Sequence, residues 1–144
     1  KLILGSAWGE RVKIDTPSEV FYADATLAAE AAIPLPDDHE DRGIYIIAGE
    51  VSVGGQTFPA GQMLVFRPGD RISVKAGGAG ARLMLLGGAT MDGPRHIWWN
   101  FVASSKERIE AAREAWRAGD WAHGRFRLPP ADDAEFIPAP EGGL

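Results

Sequence analysis

The chain has 144 residues, no cysteine and a net charge of −5 at pH 7. This length suits one domain with a substantial core, and the lack of cysteine excludes disulfides, thiolate metal sites and cysteine nucleophiles. The excess of acidic residues argues against direct binding to nucleic acid or an anionic membrane, and no apolar run approaches the roughly 20 residues that cross a bilayer. We therefore expect one cytoplasmic domain over residues 1–144, with neither nucleic acid nor membrane as a direct partner.

Short apolar runs alternate with turn residues from residue 11 to about 88, a pattern that predicts an antiparallel β sandwich or barrel. The expected strands are Val12–Ile14, Val20–Leu27, Ala31–Leu35, Gly43–Ala48, Glu50–Val53, Gln56–Phe58, Met63–Arg67, Arg71–Lys75 and Ala81–Leu86. Gly54–Gly55 predicts a two-residue hairpin with positive φ, and Gly77–Gly80 predicts another hairpin. Ile44–Ile47 and Leu83–Leu86 are apolar at every position, so we expect both faces of these strands to be covered.

One helix is predicted at about 105–118, where Ser104 and Glu107 have the spacing of a capping box and Gly119 ends the helix. The apolar face of this helix carries Ile109, Ala112 and Trp116. Its opposite, hydrated face is expected to carry six charged residues, Glu107, Arg108, Glu110, Arg113, Glu114 and Arg117. The tail at 120–144 is rich in proline and is expected to be extended.

The turn residues of Gly43–Glu50, Pro59–Gly61 and Pro68–Asp70 resemble the two motifs of cupins. In active cupins these motifs supply two His, a Glu and a third His to a divalent metal inside the barrel. With Gly49 and Gly69 placed on the motif glycines, the ligand positions fall on Leu35 and Asp37 (or Pro36 and Asp38), Arg42 and Ile72. Because none of these sets supplies the three His and the Glu, we predict no metal ligand and no catalytic residue in this chain.

Other polar residues offer only weak alternatives for a metal site. The run Asp37–Asp41 contains four carboxylates and a His, but consecutive strand residues point to opposite faces, so few of them could meet on one ion. We therefore expect a solvated acidic loop. His96 and His123 are too isolated in the sequence to complete a site.

The segment Trp98, Trp99, Asn100 and Phe101 is the candidate interface. Three aromatic side chains in four residues can bury a large area. One interpretation is that they anchor the predicted helix to the barrel. The other is that they form an exposed patch that binds another domain.

Several segments resemble the C-terminal half of pirins. The segments that carry the resemblance are Leu85–Gly88, Asp92–Val102, Ser104–Ile109 and Phe136–Pro138, with Leu35–Pro36, His39–Glu40, Tyr45, Gly49–Val51 and Gly61–Val65 upstream. The resemblance implies an all-β cupin fold, a jelly-roll barrel at about 11–88, with one C-terminal α-helix. In pirins the metal, usually iron, is bound by three His and a Glu of an N-terminal cupin that has no counterpart in this chain.

The resemblance leaves three hypotheses about function. The first is a metal-free structural and interaction domain, whose partner is an N-terminal cupin domain or a second copy of the chain. The second is part of a quercetin 2,3-dioxygenase whose metal site lies in the other cupin. The third is a barrel that binds a small molecule in its interior.

Overall fold

The computed structural model describes residues 1–142. Its elements are β1 Leu2–Ala7, β2 Glu10–Arg11, β3 Val20–Leu27, β4 Ala32–Pro34, β5 Asp41–Val53, β6 Gln56–Pro59, β7 Met63–Phe66, β8 Ser73–Gly88, β9 His96–Trp98, β10 Phe101–Ala103 and α1 Lys106–Ala118. They form two compact units, the first spanning Lys1–Thr90 and the second beginning at Met91. The sequence analysis had treated the chain as one domain. No helix within residues 1–142 is long and apolar enough to cross a membrane.

The first unit is one antiparallel sheet of eight strands, as the alternating pattern predicted. Its order is β2-β1-β3-β8-β5-β6, with β4 also paired to β8 and β7 also paired to β5. The two long strands each change partner along their length: β8 pairs first with β4 and then with β3, and β5 pairs first with β7 and then with β6. This exchange of partners lets a single sheet fold around one core.

The core of the first unit is made mainly by alternate residues of the three central strands. The buried apolar residues are Ala7, Phe21, Ala23, Ala25, Leu35, Ile44, Ile46, Val51, Val74, Ala76, Ala81, Leu83 and Leu85. Phe21, Ile44, Ile46, Leu83 and Leu85 are almost fully withdrawn from water. The inward residues therefore alternate with outward ones along β3, β5 and β8.

The hairpin predicted at Gly77–Gly80 is wrong, because β8 continues through these residues. Gly80 has a φ of +79°, and its strand passes very close to β5, where a Cβ on Gly49 would lie 2.2 Å from the Gly80 carbonyl oxygen. The pairing of β5 with β8 shifts register on either side of Gly49. The glycines thus allow two bent strands to approach each other, rather than reversing the chain.

Other strand predictions succeed or fail for local reasons. The strand at Val20–Leu27 is confirmed with the same bounds, and the Gly54–Gly55 hairpin is confirmed with φ values of 57° and 83°. The strand predicted at Val12–Ile14 is wrong, because the chain turns at Trp8 and Gly9 and pairs Glu10–Arg11 with β1 instead. The sheet therefore begins at residue 2, ahead of the predicted start near residue 11.

The predicted helix is confirmed within one residue. Its N-cap is Ser105, whose hydroxyl accepts a hydrogen bond from the backbone N–H of Arg108, so the capping box proposed for Ser104 is displaced by one position. Gly119 ends the helix in the left-handed conformation, φ 66°, as predicted. Residues 120–142 form turns and bends without a helix or strand, and residues 143–144 of the predicted tail lie outside the described residues.

The assignment of Arg113 to the hydrated face is wrong, because its side chain is buried. Its guanidinium carbon lies 4.3 Å from the centre of the Trp98 ring, and its Nη1 donates to Glu110 Oε1 at 2.6 Å. The planar cation is covered by an indole and neutralised by a carboxylate at the same time.

Candidate functional site

Three of the positions aligned with cupin metal ligands come together inside the first unit. Leu35 and Arg42 are buried, and Ile72 packs against the core beside them. The backbone N–H of Leu35 donates to the carbonyl oxygen of Ile72 at 3.0 Å, which joins the two segments directly. The remaining candidate positions are a buried Pro36 and the exposed Asp37 and Asp38. Aliphatic side chains therefore take the interior positions where imidazoles would be needed.

Arg42 is the polar residue at the centre of this arrangement and is only 2% exposed. Its Nη1 donates to the carbonyl oxygen of Pro36 at 3.1 Å, and its Nη2 donates to the carbonyl oxygens of Arg67 at 3.0 Å and Asp70 at 2.8 Å. The guanidinium thus joins two loops through three charge-assisted hydrogen bonds. A permanent cation in this position would repel a divalent metal ion, so these residues do not fit a metal.

The acidic run at 37–41 is not uniformly solvated as predicted, because His39 is buried. Its Nε2 lies 2.8 Å from the carbonyl oxygen of Ser6, and its ring packs against Phe21 with the two ring centres 4.9 Å apart. The four carboxylates around it are exposed. Across residues 1–142 no three His, Asp or Glu side chains are grouped so that they could hold a metal ion. His39 therefore has a packing role, which its position in a polar run concealed.

The outward face of the first unit carries an apolar groove of about 380 Å³. Side chains from four strands surround it: Leu4, Tyr22, Met63, Val65 and Leu86. Gly43 and Gly87 also line the groove, and a Cβ on either glycine would clash with neighbouring atoms. We call these seven residues the sheet groove.

The prediction that both faces of Ile44–Ile47 are covered is wrong, whereas in Leu83–Leu86 the outward Met84 and Leu86 are half-buried. Tyr45 is 42% exposed and Ile47 is 39% exposed, while Val65, on the neighbouring strand β7, is 77% exposed. Contiguous exposed apolar surface of this kind marks interaction sites in soluble proteins. The sequence did contain a sign of this exposed apolar surface. All four residues of β7 are apolar, whereas a strand with one face in water needs apolar residues only at alternate positions.

The candidate interface residues of the second unit lie in the β9–β10 hairpin. Trp98, Trp99 and Phe101 are half-buried, and Asn100 is exposed in the turn. The Trp99 ring meets the Trp116 ring of α1 edge-on, with the ring centres 5.4 Å apart. Much of the aromatic surface is therefore used within the second unit.

The opposite face of the same hairpin is apolar and exposed. Ile97 and Val102 form a cross-strand pair and are 69% and 62% exposed, respectively. The sequence analysis missed this pair because the neighbouring indoles dominated the segment. These two aliphatic side chains are therefore more accessible to a partner than the half-buried indoles are.

Comparison with known proteins gives concordant matches. The family model of the pirin C-terminal cupin domain matches residues 22–122. A pirin-like protein of Caulobacter vibrioides is 43% identical over 141 residues, which are 98% of this chain and 46% of that protein. A solved structure of quercetin 2,3-dioxygenase from Acinetobacter baumannii superposes with a TM-score of 0.77 at 26% identity, covering 99% of this chain and 47% of that one.

These similarities confirm the predicted all-β cupin fold with one C-terminal helix. The chain spans less than half the length of the curated relatives it matches, 46% of the Caulobacter protein and 40% of a second relative from Pseudomonas aeruginosa. More than half of each relative therefore has no counterpart in the residues described above.

Proposed function

The chain belongs to the pirin family, as its C-terminal cupin domain, and on that premise we propose that it is a metal-free domain that functions by packing against a second domain. The observation that carries this proposal is the sheet groove, an apolar surface left open on a unit whose interior is already filled. The positions that hold a metal in active cupins carry Leu35 and Asp37 (or Pro36 and Asp38), Arg42 and Ile72 in this chain. These residues provide no site for a metal that could activate oxygen or bind a substrate.

The partner that we propose for the sheet groove is the N-terminal cupin domain of the longer pirin-like proteins. Since the relatives are about twice as long as this chain, each has a further segment long enough for such a domain. Domains within one chain typically share an interface of about 600–1,500 Å². Tyr22, Met63 and Val65 provide the apolar centre that such an interface needs.

Replacing Val65 by Asp tests this surface. We expect the variant to bind the N-terminal half of the Caulobacter relative at least about tenfold more weakly than the unmodified chain, because docking would bury an unpaired carboxylate. Isothermal titration calorimetry measures the affinity. The matched control is Ile14→Asp, which changes an exposed aliphatic side chain outside the groove. It should leave binding unchanged.

Sedimentation of the chain alone separates the two candidate partners. If the chain self-associates, Val65→Asp abolishes this self-association, and the chain does not bind the N-terminal half, the partner is a second copy of the chain. Equal binding by the Val65→Asp and Ile14→Asp variants would contradict the sheet groove as the docking surface.

Metal loading tests the non-catalytic part of the proposal. We expect the purified chain to retain no stoichiometric Fe, Mn, Ni, Zn or Cu after incubation with each ion and desalting, and to leave quercetin unchanged, because no convergent ligands are available. Elemental analysis and the flavonol absorbance measure these two results. About one tightly held metal per chain that is lost in a His39→Gln variant would contradict the proposal.

A second candidate function is part of a quercetin 2,3-dioxygenase whose metal site lies in the other cupin. The similarity to the Acinetobacter enzyme favours it, since that structure superposes on nearly the whole of this chain. In this case the domain supports catalysis by docking rather than by ligating metal. If a two-cupin protein consumes the flavonol, and Val65→Asp reduces that activity, then docking through the sheet groove supports catalysis in the other cupin.

The third hypothesis, a ligand held in the barrel interior, has less support. The inward side chains of Ile44, Ile46, Leu83 and Leu85 have no exposed surface and pack in one cluster. A ligand there would have to displace this core.

A further inference from the structure

One acidic residue, Asp41, borders the otherwise apolar sheet groove. It is the first residue of β5, and the next residue, Arg42, is buried. Because successive strand residues point to opposite faces, the Asp41 side chain lies on the outward face, where it is exposed. Any domain that covers the sheet groove therefore has to accommodate a carboxylate.

Two of the neighbours of Asp41 on this face are glycines. Gly88 lies directly across from Asp41 on β8, and Gly43 follows it by two residues on β5. Neither neighbour has a side chain that could cover the carboxylate or pair with it. The Asp41 carboxylate can therefore be reached from the groove across bare backbone.

The walls beside this backbone are apolar. Leu86 and Val65 pair with Gly43 from either side, and Tyr22 pairs with Leu86. The terminal methyl of Met63 lies over Gly43, where it would be 2.9 Å from an added Cβ. Methionine is unbranched and flexible, so this part of the groove can adapt to the shape of an occupant.

Asp41 has no cation of its own. Within residues 1–142, no Lys, Arg or His side chain lies within ion-pair distance of Asp41 or of the exposed Glu40 beside it. The adjacent Arg42 does not neutralise it by contact, because three carbonyl oxygens hold the guanidinium on the opposite face. In the free chain the carboxylate is exposed, so water can solvate it.

Docking over the sheet groove would remove this water from Asp41. A carboxylate that is buried without a cation or a hydrogen-bond donor is strongly destabilising. A lysine or arginine side chain meets both requirements of the groove, because its methylene stem packs against apolar walls while its charged head pairs with a carboxylate.

We propose that the N-terminal cupin domain places a lysine or arginine side chain in the sheet groove, with its stem between Leu86 and Val65 and its charged head on Asp41. This inference rests on the proposed function, which supplies the partner. Complementary charges of this kind fix the register of two docking surfaces and disfavour wrong partners. Asp41 is thus a specificity-determining residue of the interface.

Asp41→Asn tests the contact in calorimetric titrations with the N-terminal half of the Caulobacter relative. At about 50 mM NaCl we expect the affinity to fall about tenfold, because the substitution removes a charge-assisted contact. Asp41→Glu, which keeps the charge, should retain most of the affinity. Raising NaCl to about 500 mM should weaken binding by the unmodified chain more than binding by Asp41→Asn, because salt screens the attraction between the two charges.

Asp15→Asn is the matched control, since it removes an exposed carboxylate of the same unit that does not line the groove. Its affinity and its salt dependence should equal those of the unmodified chain. Both substitutions change exposed side chains, so thermal unfolding of the two variants should match that of the unmodified chain.

Comparison with Val65→Asp separates this inference from the proposed function. One cation cannot neutralise two buried carboxylates, so Val65→Asp is still expected to weaken docking. If Val65→Asp weakens binding while Asp41→Asn and Asp15→Asn bind equally well, docking through the groove holds and the cation contact is wrong. If neither Val65→Asp nor Asp41→Asn changes the affinity, both the docking surface and the contact are wrong.

Discussion

Replacing Arg42 by Met is expected to lower the free energy of unfolding of the first unit by about 3–5 kcal/mol. Methionine fills much of the volume, but it leaves the carbonyl oxygens of Pro36, Arg67 and Asp70 without the donor they have now. Each partly buried acceptor that loses its partner costs about 1–3 kcal/mol. The substitution also releases the two loops that the guanidinium joins.

Urea denaturation, followed by far-ultraviolet circular dichroism, measures the loss at Arg42. Arg71→Met is the matched control, because this neighbouring arginine is exposed and its removal should change stability little. Arg42→Lys should recover only part of the loss, since an ammonium cannot reach three carbonyl oxygens with the geometry of a planar fork. A loss below about 1 kcal/mol for Arg42→Met would show that the guanidinium is not a structural bridge.

Replacing Trp116 by Ala is expected to destabilise the second unit by about 3 kcal/mol. Its ring contacts those of Trp99, Trp121 and Phe126 edge-on, at centre distances of 5.4, 4.9 and 5.3 Å. Its Nε1 donates to the carbonyl oxygen of Ile137 at 3.0 Å and so holds the tail to the helix. Truncation removes all of these contacts at once and leaves a cavity between α1 and the hairpin.

Near-ultraviolet circular dichroism follows this unit, because four of the five tryptophans lie in it. Arg117→Ala, a substitution of an exposed side chain one position further along the helix, should leave the transition unchanged. Trp116→Phe should keep part of the aromatic packing while losing the hydrogen bond to Ile137. If Trp116→Ala unfolded at the same denaturant concentration as the Arg117→Ala variant, the aromatic cluster would not be what holds the unit together.

The strongest local signals in the sequence predicted the fold well. Val20–Leu27 combines alternation with β-branched and aromatic residues, and the helix has both a serine cap and Gly119 at its end. Placing Gly49 on the motif glycine also put Arg42 at a ligand position inside the barrel, and Arg42 is buried in the structure. These features depend on short stretches of chain, so one sequence was enough to read them.

The features that were missed depend on what lies across the sheet or helix. Gly77–Gly80 has the composition of a turn, and only the close approach of β5 explains why it stays extended. Arg113 is charged and spaced for water, yet Trp98 and Glu110 cover it. Whether a face of a sheet is covered, as at Tyr45, depends on a layer that no local pattern encodes.

The place of β8 at the centre of the sheet has a consequence for the way the chain folds during synthesis. Val20 pairs with Gly88 and Leu27 with Ala81. Strand β3 therefore cannot make this pairing until the ribosome has synthesised β8. At roughly 5–20 residues per second on the ribosome, that wait lasts several seconds, and such non-local pairing is itself slow to form. A chain arrested before Ser73 would therefore carry β3 and β5 with no strand between them, an aggregation-prone nascent species rather than a smaller folded domain.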